Sequence, residues 1–227
     1  MTQKEVLRTV FNSISDDLRM FGFGPSFKYQ GFIRKTESAI FFYQLLIYNR
    51  TSLRTGEKGF LVEPYIWIHI KAIEKYYREI TTNTIIKEDI DFVTMGNSIA
   101  GLLANSDGLY KNRNRSLDLL IFSEKDILYV AEQLIARFKE TALPYCLNNS
   151  NIASVDKFAN TDPNEYKVHL SNDNYRIIKG LIAAKLNNNP RLQDLIDVYD
   201  RQLIERDMPD ETKEEMSRLK KNLPEIK

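Results

Sequence analysis

The chain has a single cysteine, Cys146, in 227 residues, so no disulfide can form within it. Cys146 sits in Leu143-Pro144-Tyr145-Cys146-Leu147, with no basic neighbour along the chain to lower its pKa. It reads as a small buried hydrophobe rather than a reactive thiol. Histidine is almost as scarce. His69 and His169 are the only two, so a histidine triad or a two-histidine metal site would have to draw on them. Each reads more simply as a structural or surface residue. Glycine gives no phosphate loop: Gly22-x-Gly24 runs into Pro25, which lacks the backbone donor needed there, and no GK[ST] follows. CxxC, HExxH and EF-hand patterns are also missing, so the standard metal motifs are absent and no cofactor is expected.

Long apolar runs are missing too. The most apolar window, Ala39 to Tyr48, is broken by Gln44, whereas a membrane span needs about 20 such residues. The N-terminus lacks the apolar stretch of a secretory signal. The expectation is a soluble, cytoplasmic protein. Nor does one sign of charge dominate: 32 basic side chains face 31 acidic ones, for a net charge of +1. That balance supplies no long-range field toward a polyanion, which argues against a dedicated nucleic-acid binder.

What is present is ordinary globular material, 43% hydrophobic and 28% charged. A chain of this length buries about 70% of its unfolded surface and needs no staple to fold. Val6, Leu7, Val10, Phe11, Ile14, Leu18 and Phe21 recur at helical spacing, which predicts a helix over 3–20, stopped by Gly22-Phe23-Gly24-Pro25. Strands are expected over 32–37, 40–50, 60–71, 92–100 and 116–122, with a short helix over 72–80. Pro64 cannot donate to a ladder, so the third strand should be an edge or carry a bulge there.

Ser123-Glu124-Lys125-Asp126 reads as a loose capping box that opens a helix, with Pro144 near its end. Further helices are expected around 152–158, 172–186 and 191–204. Strands early and helices late make the fold class α+β: an antiparallel sheet of about five strands, packed by the N-terminal and Ser123 helices, with a helical C-terminal section. The expected organisation is a single domain over 1–206, sheet-rich to 122 and helical from 123. Residues 207–227 form a charged tail that is a weak helix or mobile.

Three segments carry candidate chemistry. On the third strand, Glu63, Tyr65, Trp67 and His69 recur at every second position and therefore share one face, about 7 Å apart. Aromatic bodies with polar tips line ligand grooves and partner surfaces. The alternative is a second packed layer, but Glu63 and His69 would then need buried partners. Gln44 and Tyr48 on the neighbouring strand extend this face if their parity matches. The loop Tyr110-Lys111-Asn112-Arg113-Asn114-Arg115 is the nucleic-acid candidate, since Lys111, Arg113 and Arg115 could grip phosphate around one stacking aromatic. Its plainer reading is a solvated connection. Glu88-Asp89-x-Asp91 is the densest carboxylate cluster, but sequence neighbours on an extended chain point to opposite faces and do not converge on a metal.

The order of landmarks resembles a bacterial family of domains with no assigned activity. The landmarks are an N-terminal helix ending in Gly22-Phe23, then Phe32-x-Arg34, Phe41 to Tyr48 and Ile66-x-Ile68. Later come Glu124-Lys125-Asp126-Ile127, Leu143-Pro144-Tyr145 and a late helix ending near Tyr199. The resemblance spans most of residues 1–205 and implies no catalytic residue. The functional expectation is a non-catalytic recognition module for a protein or small ligand. The alternatives are a hydrolase or nuclease with an unrecognised carboxylate or histidine site, and nucleic-acid binding through Lys111–Arg115.

Overall fold

The structure, a computed structural model, describes residues 1–83, 93–104, 118–165 and 173–227. The fold is α+β, as its early strands and late helices imply. A helix α1 (Gln3–Arg19) precedes strands β1 (Gly24–Ser26), β2 (Gly31–Lys35), β3 (Ala39–Thr51) and β4 (Lys58–Ile70). Helix α2 (Lys71–Ile80), strand β5 (Met95–Ser98), helix α3 (Ile99–Ala104) and strand β6 (Leu119–Ile121) follow. The remainder is helical: α4 (Lys125–Arg137), a π-helical turn (Phe138–Ala142), α5 (Leu143–Asn148), α6 (Ile152–Asn160), α7 (Asp173–Leu186), α8 (Leu192–Glu205) and α9 (Asp210–Asn222). Among the described residues the strands form one sheet in the order β1-β2-β3-β4-β5, with β6 also on β4. None of the described helices is long and apolar enough to cross a membrane.

Contacts divide the chain into two compact units. The first comprises Met1–Thr36, Phe41–Trp67 and Asn97–Leu147; the second comprises Glu37–Ile40, Ile68–Gly96 and Asn148–Lys227.

The first unit is built around an aromatic core. Val6, Val10, Phe11, Ile14 and Leu18 form the buried stripe of α1, which packs on α4. Phe11 stacks on Phe32 of β2 with ring centroids 4.8 Å apart, and Phe138 meets Phe23 at 5.0 Å and Tyr43 at 5.2 Å. The Tyr43 hydroxyl is fully buried and donates to the Leu134 carbonyl at 2.9 Å. Alpha-helical hydrogen bonding ends with the Met20 N–H, and Gly22 adopts φ +80 and lets the Phe23 N–H reach back to the Leu18 carbonyl at 3.1 Å. The sequence signals for this stop missed β1, because Gly24-Pro25 reads as punctuation. In fact Gly24 to Ser26 pair with Ile33 to Gly31 as the sheet's edge.

Two local expectations are corrected. Ser123 does not cap α4 with its side chain. Only the returning half of the expected capping box forms. The Asp126 carboxylate accepts from the Ser123 N–H at 2.7 Å, the Phe122 N–H at 2.9 Å and the Ser123 hydroxyl at 3.1 Å. These bonds hold the Asp126 carboxyl below its ordinary pKa. Pro144 also does not end the helical run. It lies inside the run, directly after the π-helical turn, where the change of hydrogen-bond spacing already interrupts the α-helical ladder.

Pro64 is buried in β4. Among the described residues it lies between Phe60–Val62, which pair with β6, and Ile68, whose carbonyl accepts from the Thr94 N–H at 2.8 Å. A residue without a donor fits where a strand passes from one partner to the next.

In the second unit α7 is central and α2, α6, α8 and α9 pack on it. Gly180 lets α6 and α7 close up: a Cβ there would meet the Ala159 Cβ at 2.9 Å. The segment expected as a weak helix or mobile tail contains α9, whose Met216 and Leu219 are buried. Sequence hydrophobicity understated its anchoring because polar Glu215 is buried with them.

Candidate functional site

Between Val62 and Ile68, strand β4 keeps the parity its sequence announces, whereas nearer its start Phe60 is half-buried and Leu61 buried. Val62, Pro64, Ile66 and Ile68 are buried, whereas Glu63, Tyr65 and Trp67 are half-buried. Side chains two residues apart leave the same face of a strand, so Tyr65 and Trp67 stand side by side. Their rings stack, with centroids 5.3 Å apart and planes 16° from parallel. The indole N–H donates to the Gln44 side-chain oxygen at 2.9 Å, and the Gln44 amide donates in turn to the Tyr29 carbonyl at 3.3 Å. Gln44 is therefore occupied at both ends, and it fixes the indole rather than offering a free polar tip. Its place in the sequence carries a signal: it is the one polar residue inside the apolar window of β3.

Tyr48 lies four residues beyond Gln44 on the same face of β3, about 13 Å along the strand, and is 43% exposed. Leu120, opposite Leu61 in the β4–β6 register, adds a half-buried aliphatic to the Glu63–Tyr65–Trp67 side. The result is a half-open strip of two stacked aromatics, one carboxylate and flanking aliphatics. It can cover a flat apolar group or a peptide side chain. Among the described residues it contains no nucleophile beside a base and no convergent carboxylates.

The fourth residue of the alternation, His69, falls in the second unit and is 3% exposed. The candidates Lys111, Arg113, Arg115, His169 and the Glu88-Asp89-x-Asp91 cluster lie outside the described residues. Cys146 is 1% exposed, and burial pushes its thiol far above the usual range, as an inert core thiol requires. Among the described residues no three His, Cys, Asp or Glu side chains are grouped to hold a metal ion.

Sequence reasoning missed a polar network in the second unit. The Lys179 ammonium lies 3.0 Å from Glu74 Oε1 and 2.9 Å from Oε2, and donates to the Val93 carbonyl at 2.7 Å. It also sits 4.4 Å from the Tyr77 ring centroid and 5.2 Å from that of Tyr175. Desolvation lowers the Lys179 pKa against the opposing pull of Glu74. The Thr94 hydroxyl donates to Glu74 Oε1 at 2.6 Å. Just past the end of α2, Glu215 accepts from the Thr81 hydroxyl at 2.6 Å and the Thr82 N–H at 3.0 Å.

A second cluster centres on Asp156, which accepts side-chain amides from Asn160, Asn187 and Asn189. Beside it, buried Arg176 donates to the carbonyls of Ala159, Asp162 and Glu165. These groups are enclosed and mutually satisfied, so they hold helices together rather than meet a substrate. No sequence motif exposes them, since Glu74 and Lys179 are 105 residues apart.

Compared with known proteins, the chain matches no family model, no curated sequence and no solved structure.

Proposed function

We propose that this protein is a non-catalytic recognition module that binds a protein or small ligand on the Tyr65–Trp67 face of its first unit. The observation that carries the reading is the half-buried indole. Trp67 is stacked on Tyr65 and held by Gln44, yet both rings keep part of their surface toward solvent. A stacked, hydrogen-bonded aromatic pair presents a large contact area that loses little rotamer freedom on binding, which is why such pairs serve as anchors. Glu63 at one end gives the strip a polar tip for orientation.

Trp67 is the only tryptophan, so its fluorescence reports on this face alone among indoles. Red-shifted emission that iodide quenches is the expected result, and a blue-shifted, unquenchable native emission would eliminate the reading. A library of short peptides and aromatic small molecules should then contain binders that change this emission. Those binders should lose affinity by about 2 kcal/mol on Tyr65→Ala, as an anchor residue does.

A further inference from the structure

A different surface of the first unit points to a specific class of partner. Helix α1 presents Lys4, Leu7, Arg8 and Phe11 on one face, at the i, i+3, i+4 and i+7 positions. The Phe27–Gln30 turn folds against this face. Phe27 is 57% exposed, but one side of its ring lies 5.1 Å from that of Phe11, itself fully buried. Between helix and turn lies an open hollow of 320 Å³ lined by Lys4, Leu7, Arg8, Phe27 and Gln30. Gln30 holds the rim in a left-handed conformation, φ 47, which a residue other than glycine adopts at a cost. The turn is fixed to the sheet by the Gln30 carbonyl, which accepts from the Leu45 N–H at 2.7 Å.

The hollow is at the small end of the roughly 300–1,000 Å³ of ligand pockets, so it takes one or two side chains rather than a cofactor. Its wall is apolar, formed by Leu7, Phe27 and the aliphatic stems of the two cations. Among the described residues, neither Lys4 nor Arg8 is in an ion pair. Lys28, next to Phe27, adds a third exposed cation, its ammonium 5.0 Å from the Tyr29 ring centroid. The helix N-terminus offers an anion little in its own right. Thr2 and Glu5 form a reciprocal capping box there, with the Thr2 N–H donating to Glu5 at 2.7 Å. A negative group would thus be met by the Lys4 and Arg8 side chains, while an apolar side chain fills the space between them and Phe27.

We infer that this hollow docks an acidic polypeptide segment carrying an aromatic or aliphatic anchor residue. The charge of the rim selects the partner's sign, and the apolar wall separates a polypeptide from a bare polyanion. The site is distinct from the Tyr65–Trp67 strip and does not depend on it.

The test uses the full chain with defined polymers as probes: a random copolymer of glutamate and tyrosine, polyglutamate, and a random copolymer of lysine and tyrosine. The glutamate–tyrosine copolymer should bind, with affinity falling as salt rises, and polyglutamate should bind at least about tenfold more weakly. The exposed double variant Lys4→Glu/Arg8→Glu should weaken the first interaction about tenfold and gain affinity for the lysine–tyrosine copolymer. Phe27→Ser should weaken the first without producing that gain. A thermal melt identical to that of the parent chain shows that the double variant is folded. Absence of copolymer binding overturns the inference. So does polyglutamate binding as tightly as the copolymer, or a double variant that binds like the parent.

Discussion

The two units bury very different material. Nearly every fully buried polar or charged residue described belongs to the second unit: Glu74, Thr94, Asp156, Asn160, Arg176, Lys179, Gln202, Thr212 and Glu215 among them. The first unit contributes only Asn97 and Ser98 to that set, and its interior is aromatic and aliphatic. Apolar burial is non-directional, and such a core tolerates volume-conserving change. A buried ionic network depends on every member, because removal of one leaves an uncompensated charge in a poorly solvating interior. The first unit should therefore be the forgiving scaffold and the second the brittle one.

The largest effect should come from removing residues 208–227. Were the segment a mobile tail, this deletion would be harmless. The structure shows instead that it strips Glu215 from Thr81 and Thr82 and uncovers the surface that buries Met216 and Leu219. Loss of the two apolar anchors alone should cost about 4 kcal/mol or more. A urea melt should show a far lower midpoint or no cooperative transition; an unchanged melt would mean that the second unit does not rely on α9.

Next in size is the Glu74–Lys179 pair. Glu74→Ala should destabilise by roughly 3–5 kcal/mol, whereas Glu74→Leu with Lys179→Met should recover most of that loss. A double-mutant cycle measures the coupling. In the first unit, Phe138→Leu keeps the core apolar and should cost only about 1.5 kcal/mol. If Phe138→Leu proved as damaging as Glu74→Ala, the contrast between the units would collapse.

The smallest effect sharpens the account of α4. Asp126→Ala should cost about 1 kcal/mol, because two N–H groups lose their acceptor. Ser123→Ala should change stability by only a few tenths, since the Ser123 N–H bond to Asp126 survives it. Asp126 has a depressed pKa in the folded state, so its contribution is complete above its unfolded value of about 4. It is lost as pH falls through the lower folded value. Asp126→Asn should therefore differ from the parent at neutral pH and converge with it in acid, as urea midpoints across that range will show.

Much of the candidate strip was legible because strand parity is a local property. The alternation of Tyr65 and Trp67 against Ile66 and Ile68 can be read directly from the chain, and their half-burial follows it. The role of Gln44 was not legible, since its bond to Trp67 depends on how β3 and β4 align. His69 shares the alternation but is buried at 3%, because parity fixes a direction and not what lies in that direction.

By itself the sequence determined the elements whose signals are periodic: α1, α2, the strands β2 to β4, α4 and α6 to α8, within a few residues of their ends. It also determined the fold class, since strands precede helices along the chain. Local periodicity is set by backbone geometry alone, and the sequence carries it in full. Tertiary structure decided what depends on residues far apart. It placed Lys179 against Glu74, turned Asp126 rather than Ser123 into the acceptor, and made a charged terminal segment into a docked helix through Glu215, Met216 and Leu219. Burial is a property of the assembled chain: a charged residue reads as solvated until its partner, arriving from a distant segment, removes the water around it.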